Sequence, residues 1–249
     1  MCASAENNNK VSIIIPALNE ESGIKNTITS IPTSKIHEQG YCLEILVIDG
    51  YSTDLTRDVA LQLGAKVIVE KLKGYGRALK TGIDAARGNI IVTIDADGSY
   101  PAELIPEYLQ ELEEKGLDFI SVNRFSKMEK GAMSVMHRIG NKMLSLTMRL
   151  LYSVDLKDSQ SGMWIMRKKN FIDRVNLNSD GMPISEEIKI VAFKFFKSLE
   201  VEGNYSKRIG TQKIDTFRDG WNNLKYLFQY QKLLRFAIRQ PMKIKEQIK

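Results

Sequence analysis

The chain has 249 residues, is 43% hydrophobic and 27% charged, and carries a modest net charge of +6. Those values belong to an ordinary globular protein with room for one large α/β domain or two small ones, and they exclude a disordered or fibrous chain. No run approaches the roughly 18 consecutive apolar residues of a membrane span, so membrane contact is expected to be peripheral or through a partner.

Residues 1–10 are polar, lack the apolar stretch of a signal peptide, and are expected to form a flexible lead-in. Cys2 and Cys42 make neither a disulfide framework nor a metal-ligand spacing, which points to a reducing compartment. Residues 11–15 read as a β-branched strand that stops at Pro16, and Asn19, Glu20, Glu21 and Ser22 lead into a helix from about Gly23. Residues 43–48 form a second strand ending at Asp49, followed by a Gly-Tyr-Ser-Thr-Asp turn and a helix through about Leu63. A third short strand at 66–69 precedes a basic glycine loop at 71–76 and a helix over 77–86. Strands alternating with helices at this spacing predict a mostly parallel sheet covered on both faces.

The fourth strand, residues 90–94, is the pivot of the chain. It is a short apolar run that ends in Asp95 and Asp97, one residue apart, before the turn Gly98-Ser99-Tyr100-Pro101. Carboxylates at the carboxyl end of a buried strand lie at the rim where open α/β sheets bind ligands. An Asp-x-Asp pair there suits Mg²⁺ or Mn²⁺, which prefer carboxylate oxygen and leave room for substrate phosphates. The same residue types also favour a plain turn. Each earlier strand also ends in polar residues, and right-handed crossovers bring these turns to one edge. A rim carrying several acids beside a basic glycine loop suits a sugar nucleotide.

The second half predicts a helix from Glu103 to about Lys115, a strand at 119–122 and a long helix over 131–152. A polar turn at 155–162, a strand at 163–166, a helix from Ser185 to about Ser198 and a strand at 200–205 follow. Residues 221–249 read as a basic, aromatic helix interrupted at Pro241. Such a helix suits either an anionic membrane surface or packing on the domain with solvated Lys and Arg. No nucleic-acid-binding module accompanies the charge, so no nucleic-acid partner is expected. A Walker P-loop and a full dinucleotide fingerprint are absent, as is a triad partner for His37 or His137.

Taken together, Ile14-Ile15-Pro16-Ala17-Leu18-Asn19-Glu20-Glu21, Val47-Ile48-Asp49-Gly50-Tyr51-Ser52-Thr53-Asp54, Gly74-Tyr75-Gly76-Arg77-Ala78 and Asp95-Ala96-Asp97-Gly98-Ser99-Tyr100-Pro101 resemble the family 2 glycosyltransferases of GT-A fold. Within these they resemble the polyprenyl-phosphate (dolichol-phosphate) hexosyltransferases. The resemblance is most specific in the first half. In the second half Asn123-Arg124-Phe125, Asp158-Ser159-Gln160-Ser161-Gly162 and the basic loop from Arg208 to Lys213 are similar to segments of the lipid-phosphate enzymes.

The resemblance implies one GT-A domain over 11–220 with a C-terminal helical extension at 221–249. It also implies a metal-dependent inverting transferase with Mg²⁺ or Mn²⁺ as cofactor. GDP-mannose or UDP-glucose would be the donor and a polyprenyl or dolichyl phosphate the acceptor, at the cytoplasmic face of a membrane in protein glycosylation. Pro16, Leu18, Glu20, Ile48, Asp49 and Ala96 would line the donor pocket. Asp95 would contact ribose or phosphate, and Asp97, with Ser99 in the position beside it, would bind the metal. Arg124, Arg208 and Lys213 would neutralise phosphates and Arg138 would meet the acceptor. Gly50 stands where the family usually has a second acid, and Ser99 where it often has Gln.

A lipid phosphate is already ionised, so it needs no strong base, and the rate would come from positioning and from stabilising the leaving diphosphate. A sugar-hydroxyl acceptor would need a base, for which Glu186 or Glu187 is the candidate. Both also suit the first turn of a helix. A non-catalytic nucleotide-sugar or lipid-binding protein is the remaining class.

Overall fold

The structure is a computed structural model that describes residues 9–171, 177–211 and 216–239. Seven strands, β1 (Lys10–Ala17), β2 (Cys42–Asp49), β3 (Lys66–Val69), β4 (Ile90–Thr93), β5 (Phe119–Met128), β6 (Trp164–Arg167) and β7 (Ser198–Tyr205), form one sheet in the order β3-β2-β1-β4-β6-β5-β7. All neighbours pair in parallel except β6, which runs antiparallel to both β4 and β5. The expected mostly parallel α/β sheet is present, with one reversed strand inside it.

Successive residues of β1 point to opposite faces, and both faces are covered. Ile13 and Ile15 pack beneath α1 (Glu21–Thr29), α2 (Thr33–Glu38), α3 (Thr56–Gln62) and α5 (Ile105–Glu114). Ile14 packs on the other face with Leu46 and Ile48, under α4 (Tyr75–Ala85), α6 (Val135–Tyr152), α8 (Ile184–Phe195) and α9 (Thr216–Arg239). Two-sided burial is why these strands read as unbroken β-branched runs rather than as alternating ones. A short helix, α7 (Lys168–Phe171), follows β6 directly.

Several elements differ from the sequence expectation for local reasons. The six-residue α2 is too short for a periodic signal, although Pro32 sits immediately ahead of it. β5 runs on to Met128 because β7 continues to pair with it beyond an irregularity between Asn123 and Lys127. α6 begins at Val135, not 131, since Gly131 takes a positive φ of 84° and the Ser134 side chain caps the helix by accepting from the His137 N–H. α9 begins at Thr216, ahead of the expected boundary at 221. Its Leu227 and Tyr230 are buried in the core shared with α6 and α8. The helix therefore packs on the domain along one side, and Pro241 lies outside the described residues. Cys42 is not a free thiol. Cys2 lies outside the described residues, and the compartment reading drawn from the cysteines gains no support.

Candidate functional site at the sheet edge

The strand order sets the place of the site. From β1 the chain moves outward to β2 and β3, then returns to the other side of β1 as β4, which opens a crevice at the carboxyl ends of β1 and β4. β1 reaches further than β4: Ala17 is level with Asp49 of β2, whereas Thr93, the last residue of β4, is level with Ile14. The segment from Asp95 to Asp97 therefore crosses the rim beside the end of β1.

That segment is pressed against α1. A Cβ on Gly23 would lie 2.7 Å from the Ala96 carbonyl oxygen and 2.8 Å from the Asp97 Cα, so only glycine lets the helix come this close. Thr27, one turn later, donates to the Asp95 carbonyl and accepts from the Gly98 N–H. On the opposite side Gly162 gives way to the Asp95 carboxylate, since a Cβ there would sit 2.8 Å from both of its oxygens.

The two acids have different surroundings. Asp95 accepts from the Tyr75 hydroxyl at 3.0 Å. Burial first, and then the neighbouring Asp97 charge, push its carboxyl up to about 6 against the opposing pull of Tyr75, Arg124 and Arg208. Asp97 Oδ1 accepts from the Ser99 N–H at 3.0 Å and the Ser99 hydroxyl at 2.6 Å. Its Oδ2 faces Arg208 at 3.3 Å, and the same guanidinium lies 3.5 Å from Glu20 Oε1. Arg208 thus spans two acids from different loops, and its Nε is buried without a partner.

The oxygen donors fit a hard divalent cation in part. Two carboxylates close enough to repel each other are a suitable donor set. Among the described residues, however, no group of three or more His, Cys, Asp or Glu side chains comes together to hold a metal alone. Phosphate and water oxygens would have to complete the shell, as they commonly do for Mg²⁺. Ser99 stands as a hydrogen-bond donor to Asp97, fixing the carboxylate that would carry the metal.

The remaining expected residues fall into three groups. Pro16, Leu18, Glu20, Asp49 and Ala96 gather at the rim: Leu18 is exposed, Pro16 half-buried, and Glu20, Asp49 and Ala96 are buried. Asp49 Oδ2 accepts from the Ser52 N–H, and its Oδ1 is buried without a partner. The loop holding it is tied to the β1 loop, where the Asn19 N–H donates to Ser52 and the Thr53 N–H donates to Asn19, each at 2.8 Å. Ile48 differs from expectation: its side chain lies in the core under α4, 3.0 Å from where a Cβ on Gly82 would be, because the strand period turns it away from the rim. Arg124 is also differently engaged. It is buried and paired with Asp158 through two bonds of 2.8 Å, and it lies over the Tyr205 ring. Arg138 is exposed on α6, and Lys213 lies outside the described residues.

The glycine loop does not form an open phosphate cradle. Gly74 and Gly76 lie against the backbone of residues 179–181, where a Cβ would collide with the Asp180 and Ser179 carbonyl oxygens. Sequence reasoning missed what this packing does, which is to start α4 so that Tyr75 reaches Asp95. It also missed Lys189, fully buried, whose ammonium donates to the carbonyls of Asp158, Ser159 and Ser161 and so shapes the loop that carries Asp158. A lysine inside an apolar helical run was the available signal.

Neither glutamate weighed as a base stands ready at the rim. Glu187 accepts from the N–H groups of Asn178 and Ser179 and from the Tyr226 hydroxyl. Glu186 is fully buried, accepts from Gln160 at 2.7 Å, and is pushed up to about 8 by burial against the pull of Gln160 and Lys189. Its Oε2 has no partner.

Beside the rim, an apolar cavity of about 360 Å³ opens between α6 and α9, with Arg124, His137, Gln160 and Asn223 among its polar lining. Arg124, one of the residues lining the cavity, also lowers the Asp95 carboxyl through its charge.

The chain is similar to known proteins. The chain is 32% identical over 214 residues to the glycosyltransferase AglJ of Haloferax volcanii, covering 84% of this chain and 68% of that protein. It is 29% identical over 211 residues to a dolichyl-phosphate hexose transferase of the same organism, covering 84% of this chain and 89% of that one. Among solved structures, glucosyl-3-phosphoglycerate synthase from Mycobacterium tuberculosis, in complex with Mn²⁺, UDP-glucose and phosphoglyceric acid, superposes with a TM-score of 0.70 at 20% identity. That likeness covers 90% of this chain and 79% of the other, and it supports the GT-A fold. The family described as Glycosyl transferase family 2 matches residues 12–174, from the first strand through the rim acids and the reversed strand, and so the chain belongs to that family and is a glycosyltransferase.

Proposed function

We propose that this glycosyltransferase moves a hexose from a nucleotide sugar, GDP-mannose or UDP-glucose, to a polyprenyl or dolichyl phosphate at the cytoplasmic face of a membrane. The observation that carries the reading is the Asp95–Asp97 pair at the sheet's switch point, with Arg208 spanning Asp97 and Glu20, together with the apolar cavity between α6 and α9 that Arg124 helps to line. The name of the dolichyl-phosphate hexose transferase relative supports the acceptor class, and the Mn²⁺ and UDP-glucose of the similar solved structure support the donor class.

In this reading Asp97 and Asp95 would hold a divalent cation, with Ser99 and Tyr75 fixing the two carboxylates by hydrogen bonds. When bound, such a cation neutralises charge on the departing diphosphate. Glu20, Asp49, Pro16, Leu18 and Ala96 frame the nucleoside, and the unpartnered Asp49 Oδ1 supplies an acceptor for an N–H of the base. Arg208 leaves the acids to meet the diphosphate, joined by Lys213. Arg124, held by its pair with Asp158, lines the cavity on the acceptor side, and Arg138 meets the acceptor phosphate.

An oxygen of the lipid phosphate attacks the anomeric carbon from the side opposite the leaving group. The new bond joins that oxygen to carbon, the carbon–diphosphate bond breaks, and the nucleoside diphosphate leaves with the electron pair and with inversion. No side chain needs to take a proton, which agrees with a site whose nearby buried carboxyl, Glu186, is held protonated near neutral pH.

The test is a donor panel. Purified protein receives each nucleotide sugar with Mn²⁺ or Mg²⁺ and either a polyprenyl phosphate or a sugar with free hydroxyls. Transfer to the lipid that needs the metal and falls at least a hundredfold in Asp97→Ala is expected. Transfer to the sugar hydroxyl alone would overturn the acceptor assignment.

A further inference from the structure

α6 is apolar on two opposite sides. Its buried side, Asn141, Leu144, Ser145, Met148 and Tyr152, faces the core. The other carries Val135, Met136, Ile139, Met143, Leu146 and Leu150, each at least half exposed and the end residues three-quarters exposed. The spacing of three and four puts these six on one stripe. A surface helix of a globular protein has no use for a second such stripe, and a contiguous apolar patch of this kind marks an interaction site. Arg138, Lys142 and Arg149, all exposed, form a row along one flank of the stripe. α9, packed alongside, adds exposed Trp221 and Phe228, with Lys225 over the Trp221 ring at 5.4 Å. The cavity opens between these two helices.

We infer that the exposed faces of α6 and α9 together dock on an anionic lipid bilayer, with α6 lying in the plane of the interface. The charge decides between occupants. α6 contains no acid, and the described part of α9 contains only Asp219. Among the described residues, Asp155, 3.7 Å from Arg149, is the acid that pairs with the row. A second copy of the chain meeting this face symmetrically would set basic rows against each other. An anionic headgroup layer complements them, while the stripe enters the acyl boundary and Trp221 sits at the headgroup level. The inference rests on the proposed function only in giving the surface a purpose: it brings the cavity mouth to the membrane where a lipid phosphate resides. It extends the expectation drawn from the sequence, since α6 supplies the apolar row beside the tail helix.

The experiment is flotation of the full chain with vesicles of phosphatidylglycerol or of phosphatidylcholine, neither containing any polyprenyl phosphate. At least tenfold stronger partitioning onto phosphatidylglycerol is expected, weakening with salt. Leu146→Glu/Leu150→Glu should lose at least tenfold of it while keeping the wild-type melting temperature within a few degrees and keeping transfer to a short, water-soluble acceptor phosphate. Lys142→Glu should reduce partitioning through charge alone. Absence of vesicle binding, binding unchanged in the double variant, or self-association through this face without vesicle binding would overturn the inference. Docking without any transfer to a lipid phosphate would leave the surface standing and remove the proposed acceptor, so the two failures are distinct.

Discussion

Gly23 shows how one residue fixes the chemistry of another. It has no charge and touches no substrate, yet its missing Cβ is what lets α1 lie on the Ala96–Asp97 backbone. Gly23→Ala is expected to cost about 1–3 kcal/mol through overpacking, read as a fall in melting temperature. It should also lower transfer at least tenfold, because the backbone that carries both acids must move. Glu186 gives a pH signature. Its folded-state value of about 8 lies above the ordinary carboxyl value of 4.5, so the folded protein binds this proton more tightly than the unfolded chain. Its contribution to stability is therefore full below pH 4.5, declines as pH rises, and is lost above 8. Lys189, pushed down to about 7 by burial, acts in the opposite sense and only above that pH. Glu186→Gln should match the wild type near pH 4 and exceed it in melting temperature at pH 8, a difference of about 1 kcal/mol or more. Equal pH slopes for the two proteins would refute the burial argument. The buried Arg124–Asp158 pair predicts the reverse case: Asp158→Asn leaves a guanidinium half-satisfied in the interior and should cost about 3–5 kcal/mol in a denaturation experiment.

At the scale of elements, the residue 177–181 segment links two helices to the rim. Glu187 of α8 holds it through Asn178 and Ser179, and Gly74 and Gly76 at the start of α4 pack against its backbone. Tyr75 then reaches Asp95 from the first turn of α4. Glu187→Ala removes the shared acceptor of the Asn178 and Ser179 N–H groups and the Tyr226 hydroxyl and so releases this segment; a loss of about 1–3 kcal/mol is expected, with faster amide exchange at Tyr75 and Gly76. The sequence could announce the elements but not this linkage. The strands β1 to β4 were legible because a sheet buried on both sides demands β-branched runs, and β3 was read with its observed bounds. The reversed direction of β6 left no local mark, since direction is decided by which neighbours it meets. The acids of the rim were legible because they end a strand. The engagement of Arg124 was not, because a buried pair with Asp158 requires knowing that two residues 34 apart meet.

At the scale of the molecule, the sheet order places the Asp95–Asp97 rim at the carboxyl ends of β1 and β4, and a cavity opens between α6 and α9 on the face that these helices cover. In the proposed reading, the loops after β1, β2 and β4 would carry the donor and the α6–α9 cavity would take the acceptor. The central claim is that the acceptor nucleophile is an already ionised lipid phosphate. The most direct measurement compares labelled-sugar transfer into the organic phase with a polyprenyl phosphate and with the same polyprenol lacking phosphate, under identical metal and donor. The account predicts label with the phosphate, release of that label by mild acid as expected for a glycosyl phosphate, and none with the free alcohol. Equal labelling of the alcohol would contradict it, since an alcohol needs a base and both glutamates considered for that role, Glu186 and Glu187, are engaged away from the rim.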